Sequence, residues 1–338
     1  MKKLGVIILN WNGRRLLERF LPAAIDYTVG PEADLIVADN GSTDGSVEWI
    51  RANHPRVKII ELGENYGFAE GYNRAIGMAD YPYVTLLNSD VEVTPGWWRP
   101  IVGFMEENPE VAAVQPKILS LNDRSRFEYA GAAGGMIDNL GYPYCRGRLF
   151  DILEKDEGQY DGAPVDVAWA SGACLTVKRE VYLRLGGLDS LFFAHMEEMD
   201  LCIRMIFAGY RVCAISDSKV YHLGGASLSK DNPRKTYLNF RNNLLMLYKN
   251  LPAAAGRRKL FARRLADSLA FLMFILKGNV KNARALLKAH KDFKSMRRHY
   301  TPAEGADLYR TLPGTDRSAV WNRYAVGKKS LTNINPSL

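Results

Sequence analysis

Leu4-Gly5-Val6-Ile7-Ile8-Leu9-Asn10-Trp11-Asn12-Gly13 decides how the rest of the chain is read. An apolar, β-branched run that breaks abruptly into polar residues and glycine is how a buried strand ends at an edge that can carry a ligand. Comparable runs recur at 34–38, 57–60 and 83–87, and segments of helical periodicity lie between them at about 14–27, 44–53 and 68–79. This alternation builds a mostly parallel sheet covered by helices. Residues 1–90 therefore read as a nucleotide-binding α/β half. The opening apolar run is too short for a secretory h-region and has no small-residue cleavage site behind it, so a cytoplasmic protein is expected.

Beyond Asp90 the pattern loosens. It predicts a helix at 96–107, strands near 111–115 and 173–178, and loop with short strands across the glycine-rich stretch 120–163. A helix at 199–208 follows, with Met199, Cys202, Ile203 and Ile206 on one face and Gly209 as its stop, and then a strand at 210–215. Residues 91–250 read as the acceptor half, and from about 231 the chain turns helical and basic. The last residues, from Thr332 to Leu338, read as a frayed end.

The chain has 338 residues, 47% hydrophobic and 24% charged, enough for one large core and an appendage. Cys145, Cys174, Cys202 and Cys213 show no CxxC spacing and read as reduced structural thiols. Net charge is +8, but residues 251–338 hold 18 Lys+Arg against 5 Asp+Glu, so the first 250 residues are mildly acidic. A basic tail on an acidic body excludes nucleic acid as the main partner and points to an anionic surface met by one end of the molecule.

In open α/β sheets ligands bind beyond the carboxyl ends of the strands. Three such ends carry polar residues here: Asn10-Trp11-Asn12-Gly13, Asp39-Asn40-Gly41-Ser42-Thr43-Asp44 and Asn88-Ser89-Asp90. Asp39 is placed to accept from a nucleobase or ribose, but the same residues are also good turn and helix-cap chemistry, and the two readings weigh equally. Asp90, emerging from a buried strand, needs a partner such as a divalent cation bridging to a diphosphate; the plainer reading is a solvated turn.

Glu197-Glu198-Met199-Asp200 is the densest acidic group. Acids in a first helical turn are favoured by the dipole without any catalysis, but the aromatic run Leu191-Phe192-Phe193 before them suits a carboxyl raised toward neutrality, as a general base requires. His222 ends the strand-like Lys219-Val220-Tyr221 beside glycines, where a ligand could approach. Neither a G-x-G-x-x-G fingerprint nor a Walker A sequence is present, which argues against a dinucleotide dehydrogenase and a P-loop kinase.

In order and spacing these pieces resemble glycosyltransferase family two, the inverting enzymes with the GT-A fold, and among them its rhamnosyltransferase-like members of bacterial surface polysaccharide synthesis. The match runs over about residues 4–245 and includes Asn65-Tyr66-Gly67-Phe68-Ala69, Ser171-Gly172-Ala173-Cys174, Gly186-Gly187-Leu188-Asp189 and Arg241-Asn242. The resemblance implies a Rossmann-like, mostly parallel central sheet flanked by helices, followed by a C-terminal helical extension over 251–338. It implies that Asp39 reads the base, with Asn10, Asn12 and Asn65 around the nucleoside. Asn88-Ser89-Asp90 stands where the family has DxD, so Asp90 would hold Mn²⁺ or Mg²⁺ against the sugar diphosphate, with His222 completing the metal site. The leading aspartate of that motif is Asn88 here, one negative charge fewer. Glu198 stands where many relatives have the aspartate base, with Glu197 as the alternative, and Arg241 is expected to donate to the phosphates.

The expected reaction is transfer of a sugar from a nucleotide-diphosphate donor to a glycan or lipid-linked acceptor. A nucleotidyltransferase, or an inactive sugar-nucleotide-binding protein, is the competing expectation. In the tail, Phe261, Leu265, Leu269, Leu272 and Leu276 recur at helical spacing among Arg257, Arg258, Arg263, Arg264 and Lys277. The apolar run is too short to span a bilayer, which takes ~20 residues. Segment 257–298 is thus expected to lie on an anionic membrane surface at the inner face of the plasma membrane, with packing on the catalytic domain or an oligomer contact as the equal alternative.

Overall fold

The computed structural model describes residues 2–224 and 232–327. In chain order the elements are β1 (Leu4–Asn10), α1 (Arg14–Thr28), β2 (Ala33–Asp39), α2 (Ser46–Asn53), β3 (Lys58–Glu61), α3 (Gly67–Met78) and β4 (Tyr83–Leu87). Then come β5 (Val91–Val93), α4 (Arg99–Glu107), β6 (Val111–Ser120), β7 (Gly135–Ile137), β8 (Pro143–Cys145), β9 (Arg148–Leu149), β10 (Ile152–Leu153), β11 (Val165–Asp166) and β12 (Cys174–Lys178). The remainder is α5 (Arg179–Arg184), α6 (Glu197–Phe207), β13 (Arg211–His222), α7 (Pro233–Asn250), α8 (Ala253–Leu276) and α9 (Val280–Met296). Gly225, one of the glycines noted beside His222, and the frayed end expected at 332–338 lie outside the described residues.

The central sheet runs β11-β13-β6-β12-β4-β1-β2-β3, with β5 also paired to β13. Strands β3, β2, β1 and β4 are parallel, as the alternating first ninety residues require. β12 enters antiparallel between β4 and β6, so the second half is mixed. Both faces of the sheet are buried. One packs on α1 and α4 through Leu17, Leu21, Trp97, Ile101 and Met105, the other on α3, α6 and α7 through Tyr72, Ile76, Leu201, Ile203 and Leu245. Near-continuous apolar strands such as Ala33–Asp39, buried at every position, are the signature of a sheet covered on both sides.

One expectation needed revision. The separate strands expected at 210–215 and 219–221 are one strand of 12 residues, β13, whose register against β6 shifts between Ile215 and Lys219; a bulge hides a continuous strand from a period-2 reading. The glycine-rich stretch 120–163, expected as loop with short strands, contributes a small antiparallel sheet, β10-β9-β8-β7.

The tail is helical only to Met296, followed by short 3₁₀ turns. Segment 309–319 returns to the small sheet: Tyr309 Oη donates to Asp138 O at 2.6 Å and Ala319 N to Asp138 Oδ2 at 3.0 Å. α8 is tied inward by a buried network in which Asp267 accepts from Arg263 Nε at 2.9 Å and Tyr142 Oη at 2.6 Å and faces His290 Nε2 at 2.9 Å. The inner face of α8 thus packs on the body, while the opposite face stays open.

Candidate active site

The parallel register sets the donor edge. Asn10 pairs with Asp39 at the ends of β1 and β2, and Ile8 pairs with Leu87 in β4, so the polar residues after these strands emerge side by side. Asp39 closes β2, and Asp90 follows β4, which lies two places from β2 in the sheet.

Loops after β1, β2 and β3 are interlocked by amides. Asn10 Nδ2 donates to Asp39 Oδ1 at 3.2 Å, Ser42 Oγ at 3.0 Å and Ser46 Oγ at 2.9 Å. Asn12 Oδ1 accepts from Thr43 N at 2.8 Å, and Asn65 Oδ1 accepts from Asn40 Nδ2 at 3.1 Å and Gly67 N at 2.9 Å. Gly41 takes φ +76°, and a Cβ there would meet Glu64 Cα at 2.7 Å, so only glycine lets the second and third loops touch. Asp39 Oδ2 accepts from Ser42 N at 2.9 Å, which is the turn chemistry open to an aspartate at a strand end. The hub of this interlock is Asn40, which carries no distinguishing signal in the sequence: it is buried, with Nδ2 on Gly67 O and Oδ1 receiving Tyr66 N–H.

Asn88 and Ser89 are half-buried, and Asn88 N donates to Ala173 O at 3.0 Å. Asp90 is buried against His222, Oδ1 to Nε2 3.1 Å, because β13 ends by pairing His222 with Val91 of β5. On the other side of the imidazole, Nδ1 lies 3.3 Å from Glu128 Oε2. Burial alone would lower the His222 pKa, but the two carboxylates raise it to about 10, and His222 in turn holds Glu128 below the usual carboxylate range despite its burial. Nothing about Glu128 in the sequence marked it, since it lies in no strand end or acidic run.

The acids of α6 divide into two kinds. Asp200 is fully buried and bonded to Arg204, Lys249 and Asn250, a clamp between α6 and α7. Glu197 and Glu198 each keep a buried Oε2 without a hydrogen-bond partner among the described residues. Burial drives the Glu197 carboxyl well above its ordinary range, with the Glu198 charge adding to it. Burial also pushes Glu198 up to about 7, against backbone N–H groups of the first helical turn and of Gly172 that pull the other way. Glu198 is the more accessible of the two and lies against the 171–173 turn, which leans on Asn88.

The segment before these acids is strained: Phe193, His195 and Met196 all take positive φ, at 67°, 68° and 74°. It is held by Asn242, whose Nδ2 donates to the carbonyls of Phe192 at 3.0 Å, Ala194 at 2.9 Å and His195 at 2.7 Å. Arg241 Nη2 donates to Phe192 O at 3.0 Å and its Nε to Asn242 Oδ1 at 2.8 Å. The guanidinium expected to meet phosphate is buried and donates to the carbonyls of Leu191 and Phe192. Phe193 reaches across to the start of α3, where a Cβ on Gly67 would meet its ring at 3.1 Å. That contact brings the Glu198 loop to the donor loops.

A mostly parallel, helix-covered sheet of this order, with polar residues gathered at the carboxyl edge of its first strands, has the architecture of a glycosyltransferase of the GT-A fold. Residues 5–154 match the family described as Glycosyl transferase family 2. It is 28% identical over 243 residues to N-acetylglucosaminyl-diphospho-decaprenol L-rhamnosyltransferase of Mycobacterium tuberculosis, covering 68% of this chain and 78% of that one. It is 23% identical over 248 residues to the low-salt glycan biosynthesis hexosyltransferase Agl10 of Haloferax volcanii, covering 72% and 74%. Among solved structures, TarS 1-349 of S. aureus in complex with UDP-GlcNAc aligns with TM-score 0.57 at 16% identity, covering 86% of this chain and 80% of that one. GalNAc-T7 with UDP, GalNAc and Mn²⁺ aligns with TM-score 0.57 at 16% identity, covering 74% and 48%. At these identities the structural likeness establishes the fold.

Proposed function

We propose that this chain transfers a sugar, with inversion at the anomeric carbon, from a nucleotide-diphosphate donor lying across the ends of β1, β2 and β4 to a hydroxyl of a glycan or lipid-linked acceptor in bacterial surface polysaccharide synthesis. The observation that carries it is Glu198: a carboxyl raised to about 7 on the first turn of α6, directly after a strained loop that abuts the start of α3. A base of that pKa removes a hydroxyl proton at neutral pH as the acceptor oxygen attacks from behind the anomeric carbon. Glu197, more deeply buried and with its carboxyl raised well above its ordinary range by that burial, is the alternative base. Asp39 with Asn10, Asn12 and Asn65 shapes the nucleoside end.

The donor set near Asp90 fits a divalent cation. Among the described residues no group of three His, Cys, Asp or Glu is placed to hold a metal ion. Asp90 Oδ1 and His222 Nε2 lie 3.1 Å apart, near enough to share one ion. Asp90 and His222 would hold Mn²⁺ or Mg²⁺, which when bound neutralises charge on the departing diphosphate. Asn88 and Ser89 line the same turn.

A panel of sugar nucleotides, including dTDP-rhamnose, UDP-GlcNAc and GDP-mannose, tests the reading. One donor is expected to raise Tm with Mn²⁺ more than with EDTA, and to release nucleoside diphosphate only when an acceptor is turned over. No stabilisation by any donor sinks the proposal, formation of a nucleoside triphosphate and a sugar 1-phosphate when pyrophosphate is added points to nucleotidyl transfer, and binding without release to an inactive protein.

Among the described residues no helix is long and apolar enough to cross a membrane. The outward face of α8 presents Phe261, Leu265, Leu269, Leu272 and Leu276, 53–85% exposed, with Arg257, Arg258 and Arg264 beside them and Lys281, Arg284 and Lys288 exposed on α9. Apolar side chains rimmed by cations suit an anionic bilayer surface on the cytoplasmic side, where a lipid-linked acceptor would be met. Replacing Leu265, Leu269 and Leu272 together by Ser is expected to weaken binding to phosphatidylglycerol vesicles at least about tenfold, each leucine contributing on the order of 1 kcal/mol. Unchanged vesicle binding with a changed oligomeric state would assign this face to a second copy instead.

A further inference from the structure

We propose that Glu128 is a positioning residue for the metal-holding pair, supplying from a separate part of the chain the second negative charge that Asn88 leaves out of the Asn88-Ser89-Asp90 turn. The inference rests on the assignment of a divalent cation to Asp90 and His222. The His222 ring is clasped between two carboxylates, with Asp90 Oδ1 3.1 Å from Nε2 and Glu128 Oε2 3.3 Å from Nδ1, and all three residues are less than 10% exposed. Glu128 stands behind the imidazole, on the side away from Asp90, so it acts through His222 and not as a ligand itself.

Its carboxylate is held in place. Glu128 N donates to Ile118 O at 3.1 Å, Oε2 accepts from Ala130 N, and Ala130 O is tied to Ser171 Oγ at 2.6 Å. Gly224, two residues beyond His222, takes φ +66°, and a Cβ there would meet Glu128 Oε1 at 2.7 Å. The chain therefore leaves room for this carboxylate beside the histidine.

An imidazole binds a cation through Nε2 only when its proton sits on Nδ1, and a carboxylate facing Nδ1 selects that tautomer and keeps the ring aimed. Nδ1 of His222 is buried and, among the described residues, meets no acceptor in line, so a small rotation of the ring onto Glu128 is the adjustment a cation at Nε2 would favour. Charge points the same way. With Asn88 in place of an acid, Asp90 alone opposes a dication, and Glu128 brings the local sum to two.

The plainer use of Glu128 is to cap the Ala130 N–H. Glu128→Gln separates the two, because Gln keeps the size and an acceptor for Ala130 while removing the charge. The full chain would be titrated with Mn²⁺ alone, following the free-ion signal by electron paramagnetic resonance, with Tm measured in EDTA. Expected is a Kd for Mn²⁺ raised about 10- to 100-fold in Glu128→Gln with the EDTA Tm little changed, and recovery of most of that loss when Asn88→Asp is added. Wild-type affinity in Glu128→Gln, with Asp90→Asn still abolishing binding, overturns the Glu128 assignment alone. A lowered EDTA Tm that Asn88→Asp leaves without recovered Mn²⁺ affinity makes Glu128 a cap only and also overturns it. Absence of Mn²⁺ uptake by the wild-type chain overturns the metal reading and this inference together.

Discussion

Glu198→Gln is expected to lower the rate of transfer by about 10³-fold, the upper part of what a positioned base contributes, while leaving donor affinity within about twofold. Gln keeps the shape of the side chain on the first turn of α6 but cannot take the acceptor proton. In the wild type the rate should rise with pH and level off above about 7, where the carboxyl is ionised, and that limb should vanish in the variant. Stability gives a second readout. The folded-state pKa is raised from 4.5 to about 7, so the folded protein keeps a proton that the unfolded chain has lost. The resulting stabilisation is complete below about pH 4.5 and is lost as pH rises through 7. Gln carries no charge to bury, so Glu198→Gln should melt higher than wild type above pH 7, and the advantage should disappear in acid. Substantial turnover in this variant, measured by nucleoside diphosphate release, would defeat the base assignment and turn attention to Glu197.

Asp90→Asn is expected to abolish the Mn²⁺-dependent part of donor binding and to reduce transfer about 10²–10³-fold, the several kcal/mol a cation lends to a leaving diphosphate. The amide keeps a partner for His222 Nε2 at the end of β4 but removes the one formal charge in the Asn88-Ser89-Asp90 turn. Calorimetric titration of the stabilising donor with Mn²⁺ and with EDTA measures it directly: wild type should show a large difference between the two conditions and the variant almost none. Equal metal dependence in both proteins would remove Asp90 from the cation's shell.

The donor half was legible because every step of it is local. A strand such as Tyr83–Leu87 announces itself by composition, and the residues after each parallel strand must emerge at the common edge, so Asn10, Asp39 and Asn88-Ser89-Asp90 could be placed together before any coordinates. Beyond Asp90 the local signals thin out. The bulge in β13 broke the alternation that would have joined 211–215 to His222, and with it the reason His222 arrives beside Asp90. Arg241, expected at the phosphates on the family resemblance, is aimed by its helix at carbonyls of the strained 191–196 loop, an orientation no local signal in the sequence shows.

The order of the strands, the polar edge they share, the missing acid at Asn88 and the charge divide between body and tail belong to the amino-acid sequence, because periodicity, turn chemistry and charge act between residues close in the chain. Tertiary structure alone decided that Glu128 stands behind His222, that Asp200 clamps helices while Glu198 stays free, that Asn40 and Asn242 tie separate loops, and that one face of α8 docks inward. Each of these depends on burial and on contacts between residues far apart in the chain, from 25 positions for Asn40 with Asn65 to 132 for His222 with Asp90. The pKa shifts that give Glu198 its proposed role come from desolvation, which exists only once the chain has closed around it.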